Sequence, residues 1–508
     1  MKKEIDSNTI IGVVGAGTMG AGIAQLAAAA GHEVLLYDAV DGAVGRGIET
    51  VMKGLNRQIQ REKMTEEQRD ALIGRIHPAN QLKILGRAGL VIEAIIEDLE
   101  IKREVFSKLE KICNDDVILA TNTSSISVTA IGAALQDPGR LVGMHFFNPA
   151  PVMKLVEVVS GVATTRETAD VVYALSKAWN KVPVHAKSTP GFIVNRVARP
   201  FYGEALRMLQ EGVADVATID AALRDCAGFR MGPFELMDLI GIDVNFAVTQ
   251  TVYEQMFDDP KYRPSLIQRE MVDAGRHGRK TGRGFYDYSE AAEKPLPPIE
   301  KKGPQPGGVF HCGALGVAER LLGIFDQRGI SVTEETGTGS LRIDDVRIAL
   351  TDGRTATARA RDEGCDNLVL FDLALDYSET PRVLLAASDR SVPAAREKAA
   401  GLFQAIGKGV TFIDDSPGMV VMRTIAMLVN EAADAVHQQV ATPADLDTAM
   451  KMGVNYPRGP IEWGEQLGLL NVLTVLDQMA CTYGDDHFRA SPLLRRIVNG
   501  FGTFHGRV

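Results

Sequence analysis

The chain has 508 residues, 45% hydrophobic and 24% charged, with a formal net charge of −10; it is too long for one core, and its composition is that of an ordinary multidomain globular protein. The acidic balance and the lack of any basic tract exclude nucleic acid as a general partner. The N-terminal MKKEIDSNTI has no apolar signal core, no apolar run is long enough to span a bilayer, and Cys113, Cys226, Cys312, Cys365 and Cys481 have no metal-like spacing. The expectation is a cytoplasmic protein with free thiols, no membrane partner and no metal.

In chain order, residues 10–38 read IIGVVGAGTMGAGIAQLAAAAGHEVLLYD. A β-branched run, a glycine-rich turn, an alanine-rich stretch and a second apolar run predict strand, helix, strand. The turn is Gly15-Ala16-Gly17-Thr18-Met19-Gly20, and Asp38 ends the second strand 18 residues after Gly20. In that setting the pattern is a dinucleotide fingerprint. Gly15 permits the tight turn, Gly17 admits a pyrophosphate, and Gly20 lets helix and strand pack closely. The helix opening at Thr18 and Met19 turns its positive dipole end toward the phosphates. Asp38 would accept hydrogen bonds from the adenosine ribose and repel a 2′-phosphate, favouring NAD over NADP.

Residues 41–84 are charged and helical in pattern, and Arg46, Lys53, Arg57, Arg61 and Lys63 read most simply as a solvated face. LVIEAIIED (90–98) predicts a strand, EIKREVFSKLEKIC a helix, and VILATNTSS (117–125) a strand that stops in a polar cluster. Open α/β sheets hold ligands beyond the carboxyl ends of their strands. Glu97, Asn122 and Ser124 are therefore candidates to face a nicotinamide and its substrate, although Asn and Ser serve turns equally well.

HFFNPAPVMKLVEVV (145–159) puts a histidine at the end of one apolar run and a carboxylate inside the next. A Glu within a buried strand must be neutral or paired, so Glu157 needs a partner, and His145 lies one short loop away. Such a pair fixes the imidazole tautomer and raises its basicity, as a general base near neutral pH requires. A satisfied core histidine beside a strand-edge Glu accounts for the same residues.

After residue 187, Thr189-Pro190-Gly191 offers a cap and a first-turn proline, and FIVNRVARPFYGEALRMLQEG runs at helical period. Helical segments continue to GRKTGRGFYDY (278–288), and AEKPLPPIEKKGPQPGG (292–308) reads as a linker. An internal repeat follows: TPGFIVNR at Thr189 returns as SPGMVVMR at Ser416, 227 residues on. The same offset pairs Glu204 with Glu431, Asp220 with Asp447 and Gly232-Pro233 with Gly459-Pro460, whereas Asn195 becomes Met422. Between linker and copy, residues 309–335 read strand–turn–helix–strand, NLVLFDLAL and RVLLAAS as strands, and Asp352-Gly353-Arg354 as a turn between strands. That stretch has lost the glycine fingerprint and the His–Glu pair, so neither catalysis nor NAD binding is expected of it. The expected organisation is an α/β Rossmann-type NAD-binding domain at 1–187, an all-α domain at 188–290 and a linker at 291–308. A degenerate Rossmann-like domain at 309–412 and a second all-α domain at 413–508 complete the chain.

The set VGAGTMGAGIAQ, VIEAIIEDLEIK, TNTSS, MHFFNPAPVMKLVEVV and TPGFIVNR, in this order, resembles the 3-hydroxyacyl-CoA dehydrogenases over residues 10–288. The resemblance implies NAD-dependent oxidation of a 3-hydroxyacyl-CoA thioester to the 3-oxoacyl-CoA. It implies His145 as the catalytic acid/base, Glu157 as its partner, Ser124 at the substrate hydroxyl and Asn195 holding the reacting oxygen. Glu97, Lys102, Asn122 and Asn148 would line the nicotinamide end. The residue types suit the chemistry, since oxidising an alcohol needs a base for the O–H proton while a nicotinamide takes the hydride. Short family members pair through their helical domains, so the second copy is implied to pack on the first within one chain; a homo-oligomer beyond that is compatible with the sequence. Long members resemble the enzymes of phenylacetate breakdown, which implies 3-hydroxyadipyl-CoA. A dehydrogenase of a free hydroxy acid or sugar acid, or a silent NAD-binding scaffold, are the alternatives on the same fold.

Overall fold

A computed structural model describes residues 5–506. Its contacts divide the chain into two units: residues up to Arg196 together with Gln438–Val454, and Val197–His437 together with Asn455 onward. No helix of the described residues is long and apolar enough to cross a membrane.

The first unit is built on eight strands: β1 (Ile11–Val14), β2 (Val34–Tyr37), β3 (Ile76–Ala79), β4 (Leu90–Glu93), β5 (Ile118–Thr121), β6 (Leu141–Phe146), β7 (Leu155–Ser160) and β8 (Val182–Lys187). Their order in the sheet is β3-β2-β1-β4-β5-β6-β7-β8. Every neighbouring pair is parallel except β6 and β7. Strands β1, β4 and β6 are buried along their whole length, as parallel strands covered on both faces must be. The strand order reverses between β1 and β4, and the glycine-rich turn leaves β1 at that crevice, where doubly wound sheets bind ligands. Residues 41–84 are not helical throughout. Helices Ala43–Gln60 and Glu66–Ile73 give way to β3, whose sequence IHPA has only its two end residues buried. Four residues with two apolar ends are too few to announce a strand by alternation.

The second unit carries a seven-stranded sheet: β9 (Gly308–Cys312), β10 (Ser331–Glu335), β11 (Ser340–Ile343), β12 (Val346–Leu350), β13 (Leu368–Phe371), β14 (Arg382–Ala387) and β15 (Gly409–Phe412), ordered β10-β9-β11-β12-β13-β14-β15. Asp352-Gly353-Arg354 joins β12 to the helix Ala356–Glu363, not to another strand. The turn is held by ion pairs from Arg354 to Asp352 and Glu363, which extended periodicity does not reveal. The stretch 291–308 lies along β15, with the Glu300 amide donating to the Val410 carbonyl at 2.8 Å.

The repeat reaches back into this sheet. In the first unit, His145 faces Glu157 in the β6–β7 register. In the second, Phe371 faces Leu385, and the next residue, Asp372, donates its amide to the Leu384 carbonyl. Both positions, 372 and 384, lie 227 residues after 145 and 157. The helix Arg166–Ala178 likewise recurs as Pro393–Ala405.

Within the second unit, helices from the two repeat halves pack side by side: Arg199–Gln210 against Val421–His437. Glu204 and Arg423, both fully buried, pair at 2.8 Å, and His487 joins Glu204 at 2.5 Å. Lys261 pairs with Asp434, and the Tyr262 hydroxyl donates to Glu431 at 2.6 Å. One helix of the copied half, Pro443–Val454, lies in the first unit instead, against β7 and β8.

Candidate active site

The glycine turn is shaped by what surrounds it. Gly15 has φ +102°, and a Cβ there would sit 2.4 Å from the Ala94 carbonyl oxygen. A Cβ on Gly20 would lie 1.8 Å from the Gly15 oxygen, so helix and turn touch backbone to backbone. At Gly17 the opposite holds: apart from the glycine and its two chain neighbours, nothing lies within 4 Å of where a Cβ would stand. That open wall is where a pyrophosphate can approach the backbone. The helix Thr18–Ala29 begins there with no capping side chain and no acid in its first turn, so its leading amides and dipole are left for an anion. Asp38 braces the turn, its carboxylate accepting from the Ala16 amide at 2.7 Å and the Val40 amide at 2.8 Å. A carboxylate has further lone pairs, so a ribose hydroxyl still finds an acceptor. These residues fit a dinucleotide.

A cavity of about 980 Å³ runs from this turn to the end of β6. Gly15, Gly17, Thr18, Met19 and Asp38 line one end, and Asn122, Ser124, His145, Asn148 and Asn195 the other, with Glu97 and Lys102 between. Gly20 and Glu157 stand behind the wall.

His145 is 6% exposed, and its Nδ1 lies 2.6 Å from a Glu157 carboxylate oxygen. Glu157 is fully buried, and its other oxygen accepts the amides of Ile193 (2.9 Å) and Val194 (3.0 Å). Phe192 makes that possible by taking φ +47°, a left-handed conformation costly for a non-glycine residue. The ring of Phe192 also stands edge-on to His145 at 5.8 Å, and Phe147 tilts against it at 4.6 Å. The imidazole is therefore clamped, with Nδ1 given to the carboxylate and Nε2 left as the free nitrogen. From the copied half of the chain, Gly453 approaches this region closely: a Cβ there would meet Leu155 at 2.6 Å and Val194 at 3.1 Å.

Asn122 accepts the Phe146 amide at 2.9 Å, tying the end of β5 to that of β6 beside His145. Glu97 gathers the polar cluster, accepting from Thr123 Oγ1 (2.6 Å) and the Ser124 and Ser125 amides (both 3.0 Å). Burial opposes its charge, but Lys102 and these hydrogen bonds outweigh burial and hold its carboxyl below the usual range. Lys102 is 1% exposed and bridges Glu97 at 3.2 Å and Glu93 at 2.6 Å. Glu93, fully buried, also accepts from Thr121 at 2.7 Å. Glu93 is a site residue absent from the sequence-based candidates, although LVIEAIIED, like LVEVV, sets a carboxylate inside a buried strand.

The second unit supplies a contrast. At the position equivalent to His145 stands Asp372, which accepts the amides of Val420 (2.9 Å), Val421 (2.7 Å) and Met422 (3.0 Å). Met419, equivalent to Phe192, repeats the left-handed φ at +55°. The duplicate thus keeps the carboxylate-to-helix link and omits the imidazole, with Leu384 where Glu157 would be.

Comparison with known proteins agrees with this architecture. A family model for the 3-hydroxyacyl-CoA dehydrogenase NAD binding domain matches residues 10–189, and that for the C-terminal domain matches 191–288 and 418–501. A model of the 3-hydroxybutyryl-CoA dehydrogenase reduced Rossmann-fold domain matches 348–417. The chain is 44% identical over 486 residues to 3-hydroxyadipyl-CoA dehydrogenase of Escherichia coli K12, covering 96% of each protein. It is 42% identical over 280 residues to 3-hydroxybutyryl-CoA dehydrogenase of Clostridioides difficile, covering 55% of this chain and 99% of that protein. A crystal structure of 3-hydroxybutyryl-CoA dehydrogenase from Escherichia coli K12 superposes with a TM-score of 0.89 at 43% identity, over 98% of this chain and all (100%) of the other. The chain belongs to the 3-hydroxyacyl-CoA dehydrogenases, NAD-dependent oxidoreductases, in the long form with a repeated C-terminal domain.

Proposed function

We propose that this chain oxidises 3-hydroxyadipyl-CoA to the 3-oxo thioester at one site per chain, centred on His145. The observation that carries the reading is His145, on the wall of the cavity that holds the glycine turn, with Glu157 behind it at 2.6 Å. The substrate is supported by likeness to the Escherichia coli 3-hydroxyadipyl-CoA dehydrogenase over 96% of both chains.

When bound, NAD supplies the hydride acceptor, and Gly15, Gly17, the helix starting at Thr18 and Asp38 would hold its diphosphate and ribose. Glu157 keeps the Nδ1 proton of His145 in place, so Nε2 carries the lone pair that removes the substrate hydroxyl proton. The imidazolium so formed is stabilised by the buried carboxylate beside it. Ser124 and Asn195 donate hydrogen bonds to the substrate oxygen as it becomes a carbonyl. Glu93, Lys102, Glu97 and Asn122 position the ends of β4, β5 and β6 around the nicotinamide.

The helix pair Arg199–Gln210 and Val421–His437 stands in, within one chain, for the subunit contact of shorter relatives. The five cysteines are unpaired, in keeping with a reducing cytoplasm.

A second reading, 3-hydroxybutyryl-CoA as substrate, is favoured by the name of the structural relative with TM-score 0.89. A steady-state screen of 3-hydroxyacyl-CoA thioesters with NAD separates the two. Preference for the ω-carboxyl thioester supports the first, and preference for short unsubstituted chains the second. Turnover of the free hydroxy acid but not the thioester would overturn both.

A further inference from the structure

The second unit holds a further cavity, of about 370 Å³, lined by the first helical domain and by His487 of its copy, and one arginine in its wall has no counter-charge. Arg199 is 7% exposed. Its guanidinium donates to one neutral hydroxyl, Thr249 Oγ1 at 2.9 Å, and lies 5.0 Å from the centre of the Tyr202 ring; its Nε has no partner. No carboxylate faces it: burial draws its pKa down, and only Tyr202 and Tyr456 act against that. Ser265 lines the same cavity, and its hydroxyl is buried without a partner.

The neighbouring cations differ from Arg199. Lys261 is paired with Asp434, Arg207 lies 3.9 Å from Asp485, and Arg263 is exposed to solvent. The one acid of the lining, Glu211, is taken by Arg423 and Tyr483. A buried, unpaired guanidinium is among the least favourable things a core can hold, so a structural role does not account for it. The repeat makes the same point. The position 227 residues on is Ala426, fully buried, so a helix of this kind packs without an arginine there.

We propose that this cavity binds the carboxylate end of a short aliphatic acid, with Arg199 as its counter-ion and the Ser265 hydroxyl as a further donor. A guanidinium presents a planar fork that matches a carboxylate, and Tyr202, Leu206 and Leu266 give an aliphatic chain apolar walls. The ligand this chemistry selects is a free dicarboxylate.

The test uses the full chain, adipate as probe, and the variants Arg199→Met and Arg199→Lys. Calorimetry is expected to show adipate binding to the wild type, weakened about 10- to 100-fold by Met and less by Lys. Adipate is also expected to raise the Tm of the wild type, a readout that needs no variant, while Arg199→Met alone has an equal or higher Tm. The proposal is overturned if adipate binds wild type and Arg199→Met alike, or if it neither binds nor shifts Tm. Absence of turnover with every thioester would sink the proposed function and leave the adipate result to decide the cavity.

Discussion

Replacing Glu157 with Gln keeps the side chain's size and removes its charge. The carboxylate serves three donors: His145 Nδ1 at 2.6 Å, and the Ile193 and Val194 amides at 2.9 and 3.0 Å. An amide cannot serve all three. If its oxygen keeps the two backbone amides, its NH₂ faces Nδ1, and the histidine must place its proton on Nε2, the wrong state for a base. If it flips, the NH₂ opposes two buried N–H groups, each left unpaired at about 1–3 kcal/mol. Either way the imidazolium formed during proton removal loses its buried counter-charge. Breaking a buried pair costs about 3–5 kcal/mol, which at about 1.4 kcal/mol per tenfold predicts a loss in kcat of about 10²- to 10⁴-fold. The assay is initial-rate NADH formation, alongside NADH affinity by fluorescence and Tm by calorimetry. NADH affinity is expected to hold, because Glu157 does not line the cavity. A kcat within about tenfold of wild type would mean that Glu157 does not support His145 as a base; an NADH affinity that falls in step with kcat would mean the same.

Gly17→Val places a side chain in space that no residue beyond its chain neighbours occupies within 4 Å of the Cβ, so the fold should persist while the KM for NAD rises by about tenfold or more; an unchanged KM would show that the cofactor does not approach there. Lys102→Met leaves Glu93 buried and unpaired, and should cost about 3–5 kcal/mol by chemical denaturation; a change below about 1 kcal/mol would mean the pair is not formed. Glu204 supplies a pH test. Burial opposes its charge, but His487 and Arg423 prevail and lower its pKa from an ordinary 4.5 to about 2. A depressed carboxyl stabilises the fold above its unfolded pKa, so this contribution, about 3 kcal/mol, is lost as pH falls from 4.5 towards 2. Acid unfolding followed by circular dichroism should be shallower over that window in Glu204→Gln, and an identical curve would contradict the assignment.

The parts of this molecule that were legible in the sequence are those fixed by local spacing or by one improbable residue. The turn Gly15–Gly20 with Asp38 declares a nucleotide-binding crossover, and Glu157 declares itself by standing inside a buried strand. Glu93 obeys the same rule, yet its partner Lys102 sits nine residues on in a helix, a pairing no periodicity displays. Strand β3 is too short and too polar to read, and its place at the sheet edge comes from pairing with β2. Asp372 stood in plain view inside LVLFDLAL, but its kinship with His145 emerges only when both sheets are laid in register. The helix Pro443–Val454 belongs by sequence to the copied domain, and its place against β7 and β8 is a tertiary outcome that local sequence does not encode.

One catalytic site per chain, with His145 as its base, is tested by following NADH formation from 3-hydroxyadipyl-CoA and NAD in wild type and His145→Gln, with NADH binding titrated on the same samples. One NADH bound per chain is expected in both proteins, with turnover lower by about 10²- to 10⁴-fold in the variant. Two NADH per chain, or near-normal turnover without the imidazole, would contradict it.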